Sequence, residues 1–174
     1  DFKKGILFKK KNRQPFLSAI KYSYTKWSES NTLKLLIARK KNITQSKPYL
    51  LYLSQLEPEL GTNFLAKEFN NSLAVIKQLS VALPSKYNLM VKEHTLSIGS
   101  RGENYYKELF KLPNLVFADP SVSSRELLEN SLGVATVTGT VPIEAACAGK
   151  PAFIFSKHNE YDFLPSAILE KNLM

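Results

Sequence analysis

The chain has little of several residues and motifs that would assign a function at once. Its 174 residues include a single cysteine, Cys147, and two histidines. One cysteine excludes an internal disulfide, and together with two distant histidines it does not form a zinc-ligand cluster. The sequence contains no Walker loop, no GxGxxG, no GxSxG and no apolar run near the roughly 20 residues that span a bilayer. A disulfide-stapled secreted domain, a zinc module and a P-loop enzyme are therefore not expected.

The beginning of the chain also lacks two features. It opens Asp1-Phe2-Lys3-Lys4, without an initiator methionine and without the charged and apolar regions of a signal peptide. We therefore expect this sequence to be a piece of a longer protein whose true beginning lies elsewhere. The single cysteine suits a reducing compartment.

Positive charge is confined to the N-terminal quarter of the chain. The net charge is +9, but residues 1–46 hold 12 Lys/Arg against 2 Asp/Glu, whereas residues 47–174 hold 12 against 13. Because the remainder is nearly neutral, the total charge does not indicate a nucleic-acid-binding protein, and we expect no nucleic-acid partner.

The basic segment has a helical pattern. Its apolar residues recur at helical spacing, at Phe16, Ile20, Tyr24 and Trp27 and again at Leu33, Leu36 and Ile37. We predict two helices within residues 1–47 and interpret them as a basic linker or the tail of a preceding domain, with their apolar stripe packed on a partner outside this sequence. The alternative is a basic amphipathic contact with an anionic membrane surface or with nucleic acid.

From residue 48 onward, short apolar runs alternate with helical stretches. The predicted strands are 49–53, 89–91, 115–118, 132–137 and 151–155. The predicted helices are 64–83, 103–110, 123 to about 130, and 142–148, the third opened by a capping box at Ser123 and Glu126. This alternation predicts an α/β fold over residues 48–174, a Rossmann-like parallel sheet of order 3-2-1-4-5 with flanking helices.

In that strand order, ligands bind beyond the carboxyl ends of the strands, where the first and fourth strands are neighbours. The segments that follow the first, second and fourth strands are Gln55-Leu56-Glu57-Pro58-Glu59, Lys92-Glu93-His94 and Thr138-Gly139-Thr140. These are the least ordinary residues of the chain, and the strand order predicts that they meet in one cleft.

The segment after the fourth strand is a candidate phosphate site. Gly139 would allow close approach of the backbone, Thr138 and Thr140 supply hydroxyls, and a helix N-terminus follows. Glu144 lies one turn into that helix, at a spacing suited to a pair of ribose hydroxyls. The alternative, of about equal weight for the segment alone, is an ordinary capped helix with a surface glutamate.

Side chains on the other two segments are candidates for sugar and phosphate chemistry. His94 could donate to a phosphate or sugar oxygen, with Lys92 or Arg101 adding positive charge. Glu57 and Glu59 are paired carboxylates that could act as acid and base or bind sugar hydroxyls. The alternatives are a histidine in a surface loop and a solvated acidic turn.

Together these pieces resemble the capsule polysaccharide biosynthesis proteins, a family that includes Kdo (3-deoxy-octulosonic acid) transferases. The matching features are the strand 49–53 with Gln55 and Pro58-Glu59, Leu83-Pro84, Met90-Val91-Lys92-Glu93-His94, Arg101 with Tyr105-Tyr106, Pro113-Asn114-Leu115-Val116, Val137-Thr138-Gly139-Thr140, Glu144-Ala145 and Gly149-Lys150-Pro151 with Phe155. The resemblance covers residues 48–165 and does not extend into the basic N-terminal quarter. A more distant similarity is to UDP-N-acetylglucosamine 2-epimerases.

The resemblance implies the donor-binding half of a GT-B glycosyltransferase that builds a bacterial surface polysaccharide. On it, Thr138, Gly139 and Thr140 would bind the donor phosphates, Glu144 the ribose, and His94 a phosphate or leaving-group oxygen, while Glu57 and Glu59 would contact the sugar. It implies a nucleotide-sugar donor (CMP-, UDP- or GDP-linked) with no further cofactor or metal, and a glycan or glycolipid acceptor. It also implies a cytoplasmic location, at the inner face of the inner membrane, and an N-terminal domain that completes the enzyme.

Two positions depart from the family pattern. The family usually has proline after Lys-Glu-His, where Thr95 stands here, and glutamine directly before Pro-Glu, where Glu57 stands here. Glu57 is expected to alter sugar recognition or to repel an acidic donor. Two alternatives therefore stay open, an epimerase-like enzyme and a non-catalytic module with a basic N-terminal tether.

Overall fold

The computed structural model describes residues 13–44, 47–57, 66–98, 100–156, 161 and 163–169. The helices are α1 (Arg13–Thr44), α2 (Ser72–Ala82), α3 (Glu103–Phe110), α4 (Ser124–Glu129) and α5 (Val141–Cys147), with 3₁₀ turns at Lys67–Phe69 and Thr95–Ser97. The strands are β1 (Tyr49–Leu53), β2 (Asn88–Lys92), β3 (Leu115–Phe117), β4 (Gly133–Thr136), β5 (Ala152–Ile154) and β6 (Ala167–Leu169). None of the helices in these ranges is long and apolar enough to cross a bilayer.

The strands form one parallel sheet of order β3-β2-β1-β4-β5-β6. The predicted Rossmann-like order 3-2-1-4-5 is therefore confirmed, with a sixth strand added at the edge beside β5. β1 is central, with Leu50 level with Leu89 of β2 on one side and with Gly133 of β4 on the other. β6 was not predicted, because three residues directly after a turn give too short an apolar pattern.

The sheet is covered by helices on both faces, as its continuous apolar strands require. One face packs Leu50, Tyr52, Leu89, Val91 and Leu115 against α1, α2 and α3. The other packs Leu51, Val134, Ala152 and Ile154 against α4 and α5. Successive residues of β1 thus point into different cores, which is the period-2 alternation of a strand buried on both sides.

The N-terminal segment differs from its prediction. Residues 13–44 form one continuous helix of 32 residues, so the prediction of two helices is wrong. The polar stretch Ser28-Glu29-Ser30-Asn31 separates the two apolar stripes in sequence, but it does not break the helix, because Glu29 is buried where α1 packs on the domain. Leu33 is also buried in the core, while Trp27 remains exposed. The middle of α1 is therefore packed on the domain through Glu29 and Leu33.

Helix α2 begins later than predicted. Its N-cap is Asn71, whose side-chain oxygen accepts a hydrogen bond from the Ala74 backbone N–H at 3.1 Å. Residues 64 and 65 lie outside the described ranges, and residues 67–69 form a 3₁₀ turn. The apolar spacing at Leu65 and Phe69 was compatible with a longer helix, but the capping side chain fixes the start at Ser72. Prediction and structure agree at the other end, where the helix ends before Pro84.

Three tyrosines, Tyr52, Tyr105 and Tyr106, are buried in the core between the sheet and helices α1, α2 and α3. Tyr106 packs edge-on against Tyr105, with ring centroids 5.1 Å apart, and against Phe117. Burial and the nearby Glu93 carboxylate raise the pKa of Tyr105 and Tyr106, and burial also raises the pKa of Tyr52. The folded protein therefore keeps these phenols neutral well above the pH at which an unfolded chain ionises them.

The buried phenols predict loss of stability at alkaline pH. Their contribution is fully present below the unfolded pKa of about 10 and is lost as pH rises above it, by up to about 1.4 kcal/mol per pH unit for each phenol. Urea unfolding at pH 9 to 11 measures this slope. Tyr106→Phe removes one ionisable group, so its free energy of unfolding should fall less steeply than wild type above pH 10. Equal slopes for the two proteins would contradict the prediction.

Packing of α1 on the sheet predicts contrasting effects for two leucines on the same helix. The Leu33 side chain is 2% exposed, whereas Leu35 is 65% exposed. Leu33→Ala should lower the free energy of unfolding by about 2–5 kcal/mol, and Leu35→Ala should change it by less than about 0.5 kcal/mol. Urea denaturation of both variants tests whether α1 belongs to the folded domain. A neutral Leu33→Ala would show that it is a separate tail.

Candidate functional site

A cleft of about 670 Å³ opens at the carboxyl ends of β1, β2 and β4. Its lining includes Ser54 and Gln55 after β1, Glu93 and His94 after β2, and Thr138, Gly139 and Thr140 after β4. The chain leaves β1 toward α2 on one face of the sheet and leaves β4 toward α5 on the other, so a crevice forms between them. Gln55 and Leu56 of the first segment therefore meet the second and third segments in one place.

The turn after β4 is held by a side chain from β1. Gln55 Nε2 donates to the Thr138 carbonyl at 2.6 Å and to Thr138 Oγ1 at 2.7 Å, and Thr136 Oγ1 also donates to that carbonyl. Because the Thr138 hydroxyl accepts from Gln55, its own proton can be donated elsewhere. Gly139 has φ +101°, and a Cβ there would meet only Gln55 Nε2, at 3.9 Å. Glycine is required here by the backbone angle, since space is available.

Thr140 and Glu144 interact with each other beside the cleft. Thr140 is the N-cap residue of α5, yet its side chain makes no capping hydrogen bond. Instead Thr140 Oγ1 donates to Glu144 Oε1 at 3.2 Å. The alternative of an ordinary threonine cap is therefore not what the structure shows. The Glu144 carboxylate is exposed and lines the cleft, which is the geometry expected of a group that accepts hydrogen bonds from a ligand.

His94 presents a defined edge to the cleft. Its Nδ1 accepts a hydrogen bond from the Leu96 backbone N–H at 3.3 Å, as the N-cap of the 3₁₀ turn Thr95–Ser97. A neutral imidazole that accepts at Nδ1 carries its proton on Nε2. The side chain is exposed and lines the cleft, so this geometry makes Nε2 a hydrogen-bond donor toward a ligand.

Lys92 lines the cleft, but its ammonium group is engaged at the edge. Nζ donates to the Val122 carbonyl at 2.6 Å and lies 3.5 Å from the Pro120 carbonyl, both in the loop after β3. The lysine thus joins the ends of β2 and β3.

Arg101 and Glu57 are placed differently from their expected roles as direct ligands. The Arg101 side chain is 2% exposed and does not line the cleft. Its guanidinium lies 2.7 Å from Glu57 Oε2 and 2.9 Å from Glu93 Oε1, and Glu57 Oε1 also accepts from the Ser72 N–H at the start of α2. Burial alone would lower the pKa of Arg101, but Glu93 and then Glu57 raise it, so the group stays charged. Both residues therefore join the end of β1 to the start of α2 and do not line the cleft.

Glu59 lies outside the described residues, so its predicted contact with the sugar stays a prediction. Cys147, the last residue of α5, is exposed. Across the ranges that the structure describes, no group of three or more His, Cys, Asp or Glu side chains is arranged to hold a metal ion.

Two side chains were missed at this site, Gln55 and Glu93. The segments that contain them were singled out, but neither was given a role in the cleft. Glu93 follows the last residue of β2 and continues its alternation into the core, where Ser54, Arg101 and Tyr106 surround it. The signal available in the sequence was this alternation, which places Glu93 on the buried face and His94 on the open one.

Comparison with solved structures shows the same fold in two kinds of protein. The KpsC beta Kdo 2,7 transferase of Thermosulfurimonas dismutans is 20% identical with a TM-score of 0.57, covering 88% of this chain and 51% of that one. The UDP-GlcNAc 2-epimerase of Methanocaldococcus jannaschii, in complex with UDP-GlcNAc and UDP, is 16% identical with a TM-score of 0.52, covering 83% and 41%. The chain therefore spans about half the length of these structures. No curated protein sequence matches it.

A family model identifies the chain more directly. The model described as "Capsule polysaccharide biosynthesis protein" matches residues 4–163. The match extends through α1, beyond the resemblance noted from residue 48 onward, which agrees with the packing of Leu33 into the core. The chain belongs to the capsule polysaccharide biosynthesis protein family.

Proposed function

We propose that this chain is the donor-binding domain of a glycosyltransferase that builds a bacterial capsule or related surface polysaccharide, with a nucleotide-sugar as its donor. The observation that carries the proposal is the meeting of residues 138–140, His94 and Glu144 in one cleft at the switch point of the sheet. A chain of this family with hydrogen-bond donors gathered there is suited to a phosphorylated ligand.

Each side chain of the cleft has a chemical part in this proposal. The Thr138 hydroxyl, the backbone at Gly139 and the Thr140 hydroxyl donate to the donor phosphates. The Glu144 carboxylate accepts from the ribose hydroxyls, a change that releases it from Thr140. His94 Nε2–H donates to the phosphate oxygen from which the sugar departs. Stabilisation of this departing phosphate by placed donors supplies most of the catalysis, with no cofactor beyond the donor itself.

The charge of Glu57 does not argue against an acidic donor. Its Oε2 lies 2.7 Å from an Arg101 nitrogen, so the carboxylate is compensated locally. Glu57 also lies outside the cleft lining, whereas Gln55 lies within it. We propose that Gln55, two residues before Glu57, contacts the donor, and that CMP-, UDP- and GDP-linked sugars are all compatible with this side of the cleft.

The other half of the enzyme is proposed to lie in a domain before this chain. The chain spans 51% of the KpsC structure, whose remainder has no counterpart here. That domain would bind the glycan or glycolipid acceptor and supply any general base, in the cytoplasm at the inner face of the inner membrane. This chain alone should bind nucleotide weakly and transfer no sugar. Robust transfer by this chain alone would contradict that division.

The competing functions are less well supported. An epimerase-like enzyme shares the fold, but the family match favours polysaccharide biosynthesis. A non-catalytic module with an independent basic tether is disfavoured, since α1 packs on the sheet through Leu33 and accepts two backbone hydrogen bonds through Glu29.

Nucleotide titration tests the proposal directly. Amide shifts of the ¹⁵N-labelled 19.6 kDa chain should move on addition of CMP, UDP or GDP, with the largest changes at Gly139, Thr140 and His94. One of the three nucleotides should bind more tightly than the others, because the base also contacts the cleft. If none of them perturbs residues 138–145, the phosphate-site assignment is wrong.

Two glycines form a matched pair for the same site. Gly139 (φ +101°) is in the cleft, whereas Gly149 (φ +66°) follows α5 and does not line it. Alanine at either position is strained by the positive φ, by about 1–2 kcal/mol at Gly149 and by more at Gly139, whose φ lies beyond the left-handed region. Binding is therefore compared per mole of folded protein. Only Gly139→Ala should weaken nucleotide binding, at least tenfold or about 1.4 kcal/mol, by calorimetric titration. Equal affinities would show that the turn does not contact the phosphates.

A further inference from the structure

The backbone of Arg101 is fixed by helix α1. The Arg101 N–H donates to Glu29 Oε2 at 3.4 Å, and the Gly102 N–H donates to Glu29 Oε1 at 3.0 Å. Glu29 is itself buried, so it holds the start of α3 where no side-chain cap is present. The point from which the arginine side chain enters the core is therefore set by the helix.

The two terminal nitrogens of the guanidinium point toward different parts of the fold. Nη1 contacts the start of α2, through Glu57 at 2.7 Å and the Ser72 hydroxyl at 3.3 Å. Nη2 donates to the Ser54 hydroxyl at 2.6 Å, the Gln55 carbonyl at 2.5 Å and Glu93 Oε1 at 2.9 Å. The Nε atom is buried without a hydrogen-bond partner among the described residues. The contacts of Arg101 are thus divided between its two terminal nitrogens.

The acceptors of Nη2 lead directly to the groups that face the cleft. Glu93 Oε1 also accepts the His94 backbone N–H at 3.1 Å, so the carboxylate is shared between Arg101 and His94. Gln55, whose carbonyl is held by Nη2, donates through its side chain to Thr138. Nη2 is therefore connected to one side of the cleft through Glu93, which binds the His94 amide, and to the other side through Gln55, which binds Thr138.

We propose that Arg101 is a positioning residue of the cleft. Its Nη2 fixes Glu93 and the Gln55 main chain, and through them it sets the orientation of His94 and of the Thr138 turn. The proposal deepens the proposed function, since it concerns the same cleft. A planar fork is needed for this task, because a lysine ammonium cannot contact acceptors on both sides in one fixed geometry. The Tyr105 ring, 5.2 Å from the guanidinium carbon, further restricts its position.

Arg101→Lys tests the proposal, with Arg125→Lys as the control. Arg125 is a surface arginine paired with Glu129, outside the cleft. The first readout, the His94 imidazole tautomer from ¹H–¹⁵N multiple-bond spectra of the folded protein, does not depend on stability. The second is the hydrogen-exchange rate of the His94 amide, corrected for the change in the free energy of unfolding measured by urea titration. For the neutral imidazole in the folded Arg101→Lys protein, we expect a shift of the tautomer population away from Nε2–H and at least tenfold faster amide exchange. The Arg125→Lys protein should match wild type in both.

The binding of CMP, UDP and GDP provides the third readout. Arg101→Lys should weaken the Kd of whichever nucleotide binds wild type by at least tenfold, with the fraction folded checked by urea titration. A purely structural arginine predicts a lower urea midpoint together with an unchanged His94 spectrum and a Kd within twofold of wild type. That result would overturn the proposal.

A pair of serine variants decides the matter if Arg101→Lys does not fold. Ser54 and Ser72 are both buried, and each loses a single hydroxyl on replacement by alanine. The Ser54 hydroxyl accepts from Nη2 and donates to Glu93 Oε1, so it belongs to the Nη2 side, whereas the Ser72 hydroxyl contacts Nη1 and the Tyr105 hydroxyl. Ser54→Ala should change the His94 tautomer and amide exchange, whereas Ser72→Ala should leave both unchanged. An equal response in the two variants, or no response in either, would contradict the division of the guanidinium into two edges.

These measurements separate the two proposals made for this cleft. The His94 spectrum requires no nucleotide, so it tests the positioning role even if wild type binds none of the three nucleotides. In that case the proposed function fails while the inference about Arg101 stands or falls on the imidazole. If nucleotide binding survives Arg101→Lys unchanged, the proposed function stands and the inference about Arg101 fails.

Discussion

The structure around the cleft depends on one buried interaction, the contact of the Arg101 guanidinium with the Glu93 carboxylate. Both side chains are almost completely buried, and Arg101 Nη2 lies 2.9 Å from Glu93 Oε1. Removal of one partner of such a pair typically costs about 3–5 kcal/mol, because the other charge is left uncompensated, whereas apolar replacement of the whole pair is often neutral. Net stability alone is therefore a poor explanation for this pair. A better explanation is that Arg101 contacts four segments of the chain, one through its backbone and three through its guanidinium, and fixes their relative positions.

Those four segments come from distant parts of the sequence. α1 supplies Glu29, the end of β1 supplies Ser54 and Gln55, the start of α2 supplies Ser72, and the end of β2 supplies Glu93. The parallel sheet brings the strand ends to one edge, but it does not determine the direction of the side chains that follow them. The arginine provides that second level of order. In this fold the topology makes the crevice, and the buried polar network shapes it.

The same distinction explains how much was predictable from sequence. Strand β1 and helix α3 were predicted with their observed bounds, and the strand order followed from the alternation of elements. Residues 138–140, His94 and Glu144 were correctly brought together, because strand order alone decides which loops are neighbours. Arg101 and Glu57 were expected to contact the ligand, but neither lines the cleft, and Arg101 is buried because α1, α2 and α3 pack around it. No local pattern in the sequence shows that α1 continues past Ser28 and packs against the segment that contains Arg101.

The burial of Arg101 also changes how a phosphate would be recognised in the cleft. Two cations were expected there, yet the Lys92 ammonium is bound to carbonyl oxygens of the loop after β3 and Arg101 is compensated by two carboxylates. The groups that do face the cleft include the Thr138 and Thr140 hydroxyls and the His94 imidazole. These donors act over hydrogen-bond distances, and their geometry decides their strength. Recognition by such donors depends on exact placement of the turn and the imidazole, which is what the buried arginine provides.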